Sequence, residues 1–191
     1  MAKAKNQRKS LETKYEELDQ YDGWSDEVLE KWEGQYAYHI GKLLISFSAL
    51  EHSLEVQLAN LINERGHDEG LLMVKDLEMH HKIELFYNLS FQYIYFKFDT
   101  SKRRPKLLAK LTNMRKQLEA SSELRNKVVH AKWTTLDDEG YVRVDTRTDK
   151  NNGLIRFRKF KITASILHNA SRRMLGQATT LESFVDTELW G

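Results

Sequence analysis

The sequence predicts a mostly helical fold, a helical bundle with a small antiparallel β-hairpin or meander inserted before the last helix. Three observations predict it. One proline and nine glycines are spread over 191 residues, leaving few places where a helix must break. Apolar residues recur at spacings of three and four along most of the chain, the period of an amphipathic helix. Between about residues 133 and 162 that period gives way to alternation bounded by turn residues, which marks short strands. With 40% of residues hydrophobic, the chain can bury one substantial core, and a single domain is the expectation.

Taken in order, residues 1–9 are basic but lack the apolar core of a signal peptide, and read as a solvated tail. Residues 10–20 predict a first, weakly apolar helix, and Ser25, Asp26 and Glu27 the cap of a short second one ending near Gly34. Residues 1–34 are thus read as a tail with short acidic helices, and 35–191 as the main helical domain. Tyr36, Ile40, Leu43, Leu44, Phe47, Leu50, Leu54, Leu58 and Leu61 give one wide apolar stripe on a helix from about 35 to 63. Arg65-Gly66-His67-Asp68-Glu69-Gly70 then breaks it. From Met79 to about Phe98 the pattern resumes with more rings than one stripe can hold, so this helix is expected to be buried on more than one side, in the core or at a dimer interface rather than as a base-stacking platform.

Pro105 fits the first turn of the next helix, whose stripe of Leu108, Leu111, Met114, Leu118, Leu124 and Val128 runs toward His130. After Trp133, Asp137-Asp138-Glu139-Gly140 reads as a turn, Tyr141 to Arg147 alternates, Asn151-Asn152-Gly153 signals a hairpin, and Leu154 to Ile162 is strand-like. Thr163 caps a last helix carrying Ile166, Leu167, Met174, Leu175, Leu181 and Phe184.

Composition excludes several function classes. The absence of cysteine removes disulfides, thiolate zinc sites and a cysteine nucleophile, and makes a reducing cytoplasm the expected compartment. No apolar run approaches the roughly 20 residues that span a bilayer, so no membrane partner is expected. The histidines form no metal-binding pattern, although His80 and Glu84 could share a helical face, and no glycine-rich phosphate loop or serine nucleophile elbow is present. Neither a metal nor a cofactor is expected. The net charge of +2 is small, but its distribution is uneven. Acid gathers before residue 34, whereas Lys102, Arg103, Arg104, Lys106, Lys110, Arg115 and Lys116 precede residue 124 and further arginines and lysines follow it.

The most informative segment is Leu124-Arg125-Asn126-Lys127-Val128-Val129-His130-Ala131-Lys132-Trp133. Arginine offers a permanent charge and a planar donor fork for phosphate, and histidine can take up and deliver a proton near neutrality. On a helix Asn126 and His130 stack on one face, but Arg125 and His130 diverge by about 140°. Either the helix ends near His130, or a second copy supplies a second Arg and His.

Arg125-Asn126 followed by three residues and His130 resembles the R-x4-6-H signature of HEPN-domain ribonucleases, and the order of helices from about residue 35 to 190 is similar. The resemblance implies a metal-independent endoribonuclease with its motif in a cleft at a homodimer interface. It implies His130 as the acid/base residue, Arg125 as the phosphate and transition-state clamp, Asn126 as an orienting hydrogen-bonder, and Glu51 as a secondary acidic candidate. Glu51 is equally well read as the partner of Arg125 or of a lysine. RNA contacts are expected from Lys127, Lys132, Arg143, Arg147, Arg156 and Arg158.

Members acting as toxins often carry Tyr two residues after the histidine; here Lys132 stands there, so regulation by tyrosine modification is not expected, while a toxin or antiphage defence component with another antitoxin or regulatory protein remains open. The hairpin is longer than a minimal HEPN core. Two other classes stay in view: a non-catalytic RNA- or nucleotide-binding module working through a protein partner, and a purely structural dimer.

Overall fold

A computed structural model describes residues 11–17, 26–63, 67–98, 103–148 and 153–190. The fold class is the predicted one, mostly helical with a small antiparallel sheet. The helices are α1 (Asp26–Ile62), α2 (His67–Val74), α3 (Met79–Lys97), α4 (Arg103–His130) and α5 (Ala164–Ser183), the last continued by a π-helical turn at Phe184–Leu189. The strands are β1 (Thr13–Glu17), β2 (Tyr141–Thr148) and β3 (Ile155–Lys161).

Helix α1 corrects the expectation of two helices meeting near Gly34. It runs unbroken through Gly34 and Gly41, and the predicted cap at Ser25 lies outside the described residues. An interior glycine costs a helix only about 1 kcal/mol. The stripe behind it outweighs that cost, with Leu43, Leu50, Leu54 and Leu58 fully buried.

The expected break after α1 is present, since α1 ends at Ile62, but it is short and α2 already starts at His67. Asp68 and Glu69 occupy its first turn, where acidic groups complement the exposed backbone N–H groups. Gly70 is there for close approach. A Cβ on it would lie 2.8 Å from both Cα and O of Ala59 in α1.

Helices α3 and α4 fall where the periodicity puts them. Pro105 sits in the first turn of α4, and Leu107, Leu111, Met114 and Leu118 are buried, Leu107 taking the place read for Leu108. In α3 one stripe of Ile83, Phe86, Ser90 and Ile94 is buried, while Phe91, Tyr95 and Phe96 stay exposed. Within one chain, then, α3 is not buried on more than one side. Thr163 Oγ1 accepts a hydrogen bond from the Ile166 backbone N–H at 3.3 Å, so it caps α5 as expected.

The sheet has the order β1-β3-β2, both pairings antiparallel. Its third strand overturns the helix expected at residues 10–20. Thr13–Glu17 pairs along β3, with Thr13 opposite Phe160 and Glu17 opposite Arg156. Five residues are too few for a stable isolated helix, whereas Thr13 and Tyr15 suit a strand and the free edge of β3 supplies a full ladder of hydrogen bonds. The turn before β2 is held by Asp137, whose Oδ1 accepts from the N–H groups of Glu139 and Tyr141, with Gly140 at φ +85°. Asn151 and Asn152 lie outside the described residues.

The chain clusters into two compact units: Met1–Tyr38 with Lys127–Ile166, and His39–Asn126 with Leu167–Gly191. The first contains the sheet, and its core includes Tyr36, Leu136, Tyr141, Val142, Phe160 and Ile162. Trp133 is fixed there by a 2.9 Å hydrogen bond from its indole N–H to the Val128 carbonyl and by its ring contact with Tyr36. The second unit is helical, with Leu54, Phe86, Ile94, Leu111, Met174 and Leu181 at its centre. Among the described residues no helix is long and apolar enough to cross a membrane.

Candidate functional site at the end of helix α4

Successive residues of α4 turn by about 100°, which puts Arg125 on the side of Leu107, Leu111, Met114 and Leu118. That is the buried side. Arg125 is accordingly half-buried, with its guanidinium carbon 5.5 Å from the centroid of the Phe47 ring. Its Nη1 donates to Asn126 Oδ1 at 3.1 Å, and its Nε is buried without a hydrogen-bond partner. Asn126 is exposed.

His130 is the last residue of the helix, exposed and turned about 140° from Arg125. Its imidazole makes no hydrogen bond or ion pair with any described residue. The helix therefore ends where the first of the two geometric options requires. Within one helix the two functional groups still point to different sides.

Glu51 takes the lysine option. It accepts a hydrogen bond from Lys82 Nζ at 2.8 Å, and Lys82 also donates to Glu55 at 2.6 Å. The Lys82 side chain is only 3% exposed. Burial opposes its charge, but the hydrogen bonds to Glu51 and Glu55, with their negative charge, outweigh that and raise the Lys82 pKa above the ordinary lysine value.

Of the expected RNA contacts, Lys127 lies 4.5 Å from the Phe160 ring centroid and is half-buried, while the Lys132 side chain is exposed and its backbone N–H donates to the Arg143 carbonyl. Alternation would put Arg143 and Arg147 on one face of β2, but a β-bulge between Arg143 and Asp145 interrupts that alternation. Arg143 now lies opposite Lys159, and Arg147 opposite Arg156, which is on the other face of β3. Arg143 stacks on Phe157 at 4.1 Å with its Nε buried and unpaired. Arg158 is neutralised by Asp145 through a two-pronged hydrogen-bonded pair, and strand alternation puts it on the same face of β3 as Arg156. The Arg147 side chain lies outside the described residues. The cations of the hairpin thus divide between two faces.

Two groupings escaped the sequence reading. Glu78, His80 and His81 bring ligand atoms within 4.8 Å of one another at the start of α3, all three exposed, and His80 pairs with Glu78 at 3.2 Å. The adjacent Glu-Met-His-His was the available signal. The second is the row that Tyr87, Phe91 and Tyr95 form on the outer side of α3, rings that the sequence assigned to the core or a dimer interface. Comparison of the chain with models of known protein families, with curated proteins and with solved structures finds no match.

Proposed function

We propose that the chain is a metal-independent endoribonuclease of HEPN type, a microbial toxin or antiphage defence component working in the cytoplasm as a homodimer. One observation carries the reading: α4 ends at His130, leaving an exposed imidazole five residues after an arginine with a buried Nε, neither nitrogen group paired with any described residue. A neutral imidazole at that position takes the proton from a ribose 2'-hydroxyl. The 2'-oxygen then attacks the adjacent phosphorus, the bond from phosphorus to the 5'-oxygen breaks, and that oxygen leaves with a proton from an imidazolium. A guanidinium neutralises the charge on the pentacoordinate phosphorus. The products are a 2',3'-cyclic phosphate and a 5'-hydroxyl.

The divergence of Arg125 and His130 on one helix favours a second copy that completes each site, even though the helix ends at His130. Incubation of the purified chain with total RNA and a chelator, with analysis of the new ends, tests it. Cyclic phosphate ends and a mass of two chains by light scattering are expected. Equal cutting by wild type and His130→Ala overturns it.

A second reading is a non-catalytic module that binds RNA or a nucleotide and acts through an antitoxin or regulatory protein. The packing of Arg125 on Phe47 favours it, because that contact gives the arginine a structural reason to be there. Binding of RNA with no new ends distinguishes it.

A further inference from the structure

We infer that the outer face of α3 is a track for single-stranded RNA, distinct from the residues of the cleavage motif and resting on the reading that the chain acts on RNA. Tyr87, Phe91 and Tyr95 follow one another at four-residue intervals, with centroids 6.1 and 6.3 Å apart and the last two rings only 11° from parallel. Phe91 is 38% and Tyr95 52% exposed, and Phe96, 82% exposed, stands at right angles to Tyr95. Large rings left in water in a row offer flat faces to flat ligands.

The charge beside the row decides which ligand. Arg104 lies 4.8 Å from the Tyr95 centroid and Arg115 4.9 Å from that of Tyr87, so a guanidinium stands at each end. Arg104 is fixed there by donating to the carbonyls of Phe98 and Tyr95 at 2.7 and 2.8 Å. Between residues 103 and 118, α4 carries six cations and no acid, and Arg103, Lys106 and Lys110 are exposed. Glu119 pairs with Arg115 and Glu188 with Lys110, so the charge beside the row comes mainly from Arg103, Arg104 and Lys106.

Rings for bases beside cations for phosphates match a single strand, whose bases are free to stack; a duplex keeps its bases covered. A second copy fits less well, since an antiparallel pairing of this face with itself brings Arg104 against Arg115. By helical arithmetic Arg104, Arg115 and Asn126 lie within about 40° on one side of α4, which aligns the track with the exposed side of the motif.

Fluorescence anisotropy with mixed-sequence single-stranded and duplex RNA oligomers tests this, using the full chain carrying His130→Ala so that no substrate is consumed. The expected result is preference for the single strand, a loss of about tenfold for each of Phe91→Ser and Tyr95→Ser, and tighter binding for Tyr95→Trp. Circular dichroism checks that the helices persist, and Phe91→Leu, which keeps the apolar bulk without a ring, should bind as weakly as Phe91→Ser. Unchanged affinity in both serine variants overturns the inference, as does loss of dimer mass with RNA affinity retained, which would make the face a protein interface. Failure of the wild type to cut RNA leaves these binding outcomes readable, so the two proposals fail separately.

Discussion

Arg125 and Phe47 form a cation–π contact, with the guanidinium carbon 5.5 Å from the ring centroid. The pair gives Arg125 a second role that His130 does not share, because the arginine anchors helix α4 on the core side while the imidazole stands in solvent.

Removing each side chain therefore has different effects on stability and the same effect on chemistry. His130→Ala and Arg125→Ala are each expected to lower RNA cleavage on the order of 10²–10³-fold. Thermal unfolding should be unchanged for His130→Ala and show a loss of about 0.5–1 kcal/mol for Arg125→Ala. A histidine variant that still cuts at the wild-type rate removes the catalytic assignment.

The bulged hairpin separates two arginines that look alike in sequence. Arg143→Ser should weaken RNA binding equally for all sequences and flatten the dependence of affinity on salt, since fewer counterions are released. Arg158→Ser should also lower stability by about 1 kcal/mol, because Asp145 loses its partner. Filter binding across a salt series, beside a melting curve, reads both. An unchanged salt slope for Arg143→Ser means that this side chain does not meet the backbone.

Two glycines in helices should respond to alanine with opposite signs. Gly70→Ala forces a Cβ into Ala59 and is expected to cost about 1–3 kcal/mol. Gly34→Ala meets nothing within 4 Å and should stabilise by about 0.5–1 kcal/mol. Urea denaturation of the two variants checks the sign.

Lys82 links stability to pH at the alkaline end. Its folded-state pKa is raised, so its contribution is fully present below the unfolded value and is lost as the pH rises through the folded one. Lys82→Met should destabilise at neutral pH by about 3 kcal/mol, since Glu51 and Glu55 are left facing each other. The gap from wild type should close only above the ordinary lysine pKa of about 10.4. A gap that closes below neutrality points to another group.

The long helices were legible because a stripe such as Leu43, Leu50, Leu54 and Leu58 repeats often enough to outvote a glycine. Strand β1 was not, because five residues carry almost no period and its partner lies at the far end of the sequence. The first turn of α2 was hidden by Gly70, read as a breaker when its use is contact with Ala59. At the candidate site the residue types were legible, and so was the divergence of Arg125 from His130. What the period could not supply was a partner on another helix: Phe47 for Arg125, Lys82 for Glu51. The bulge at Val144 was invisible for a similar reason, since a one-residue slip has meaning only against the strand beside it.

The pairing of Thr13 with Phe160 also sets a schedule for the nascent chain. Strand β1 leaves the ribosome before β3, its ladder partner, which follows about 140 residues later. At a synthesis rate of about 5–20 residues per second, β1 waits roughly 7–30 s before β3 exists. Throughout that interval its backbone N–H and C=O groups are open to any passing strand or chaperone, and the sheet can close only after the helices between them have been made.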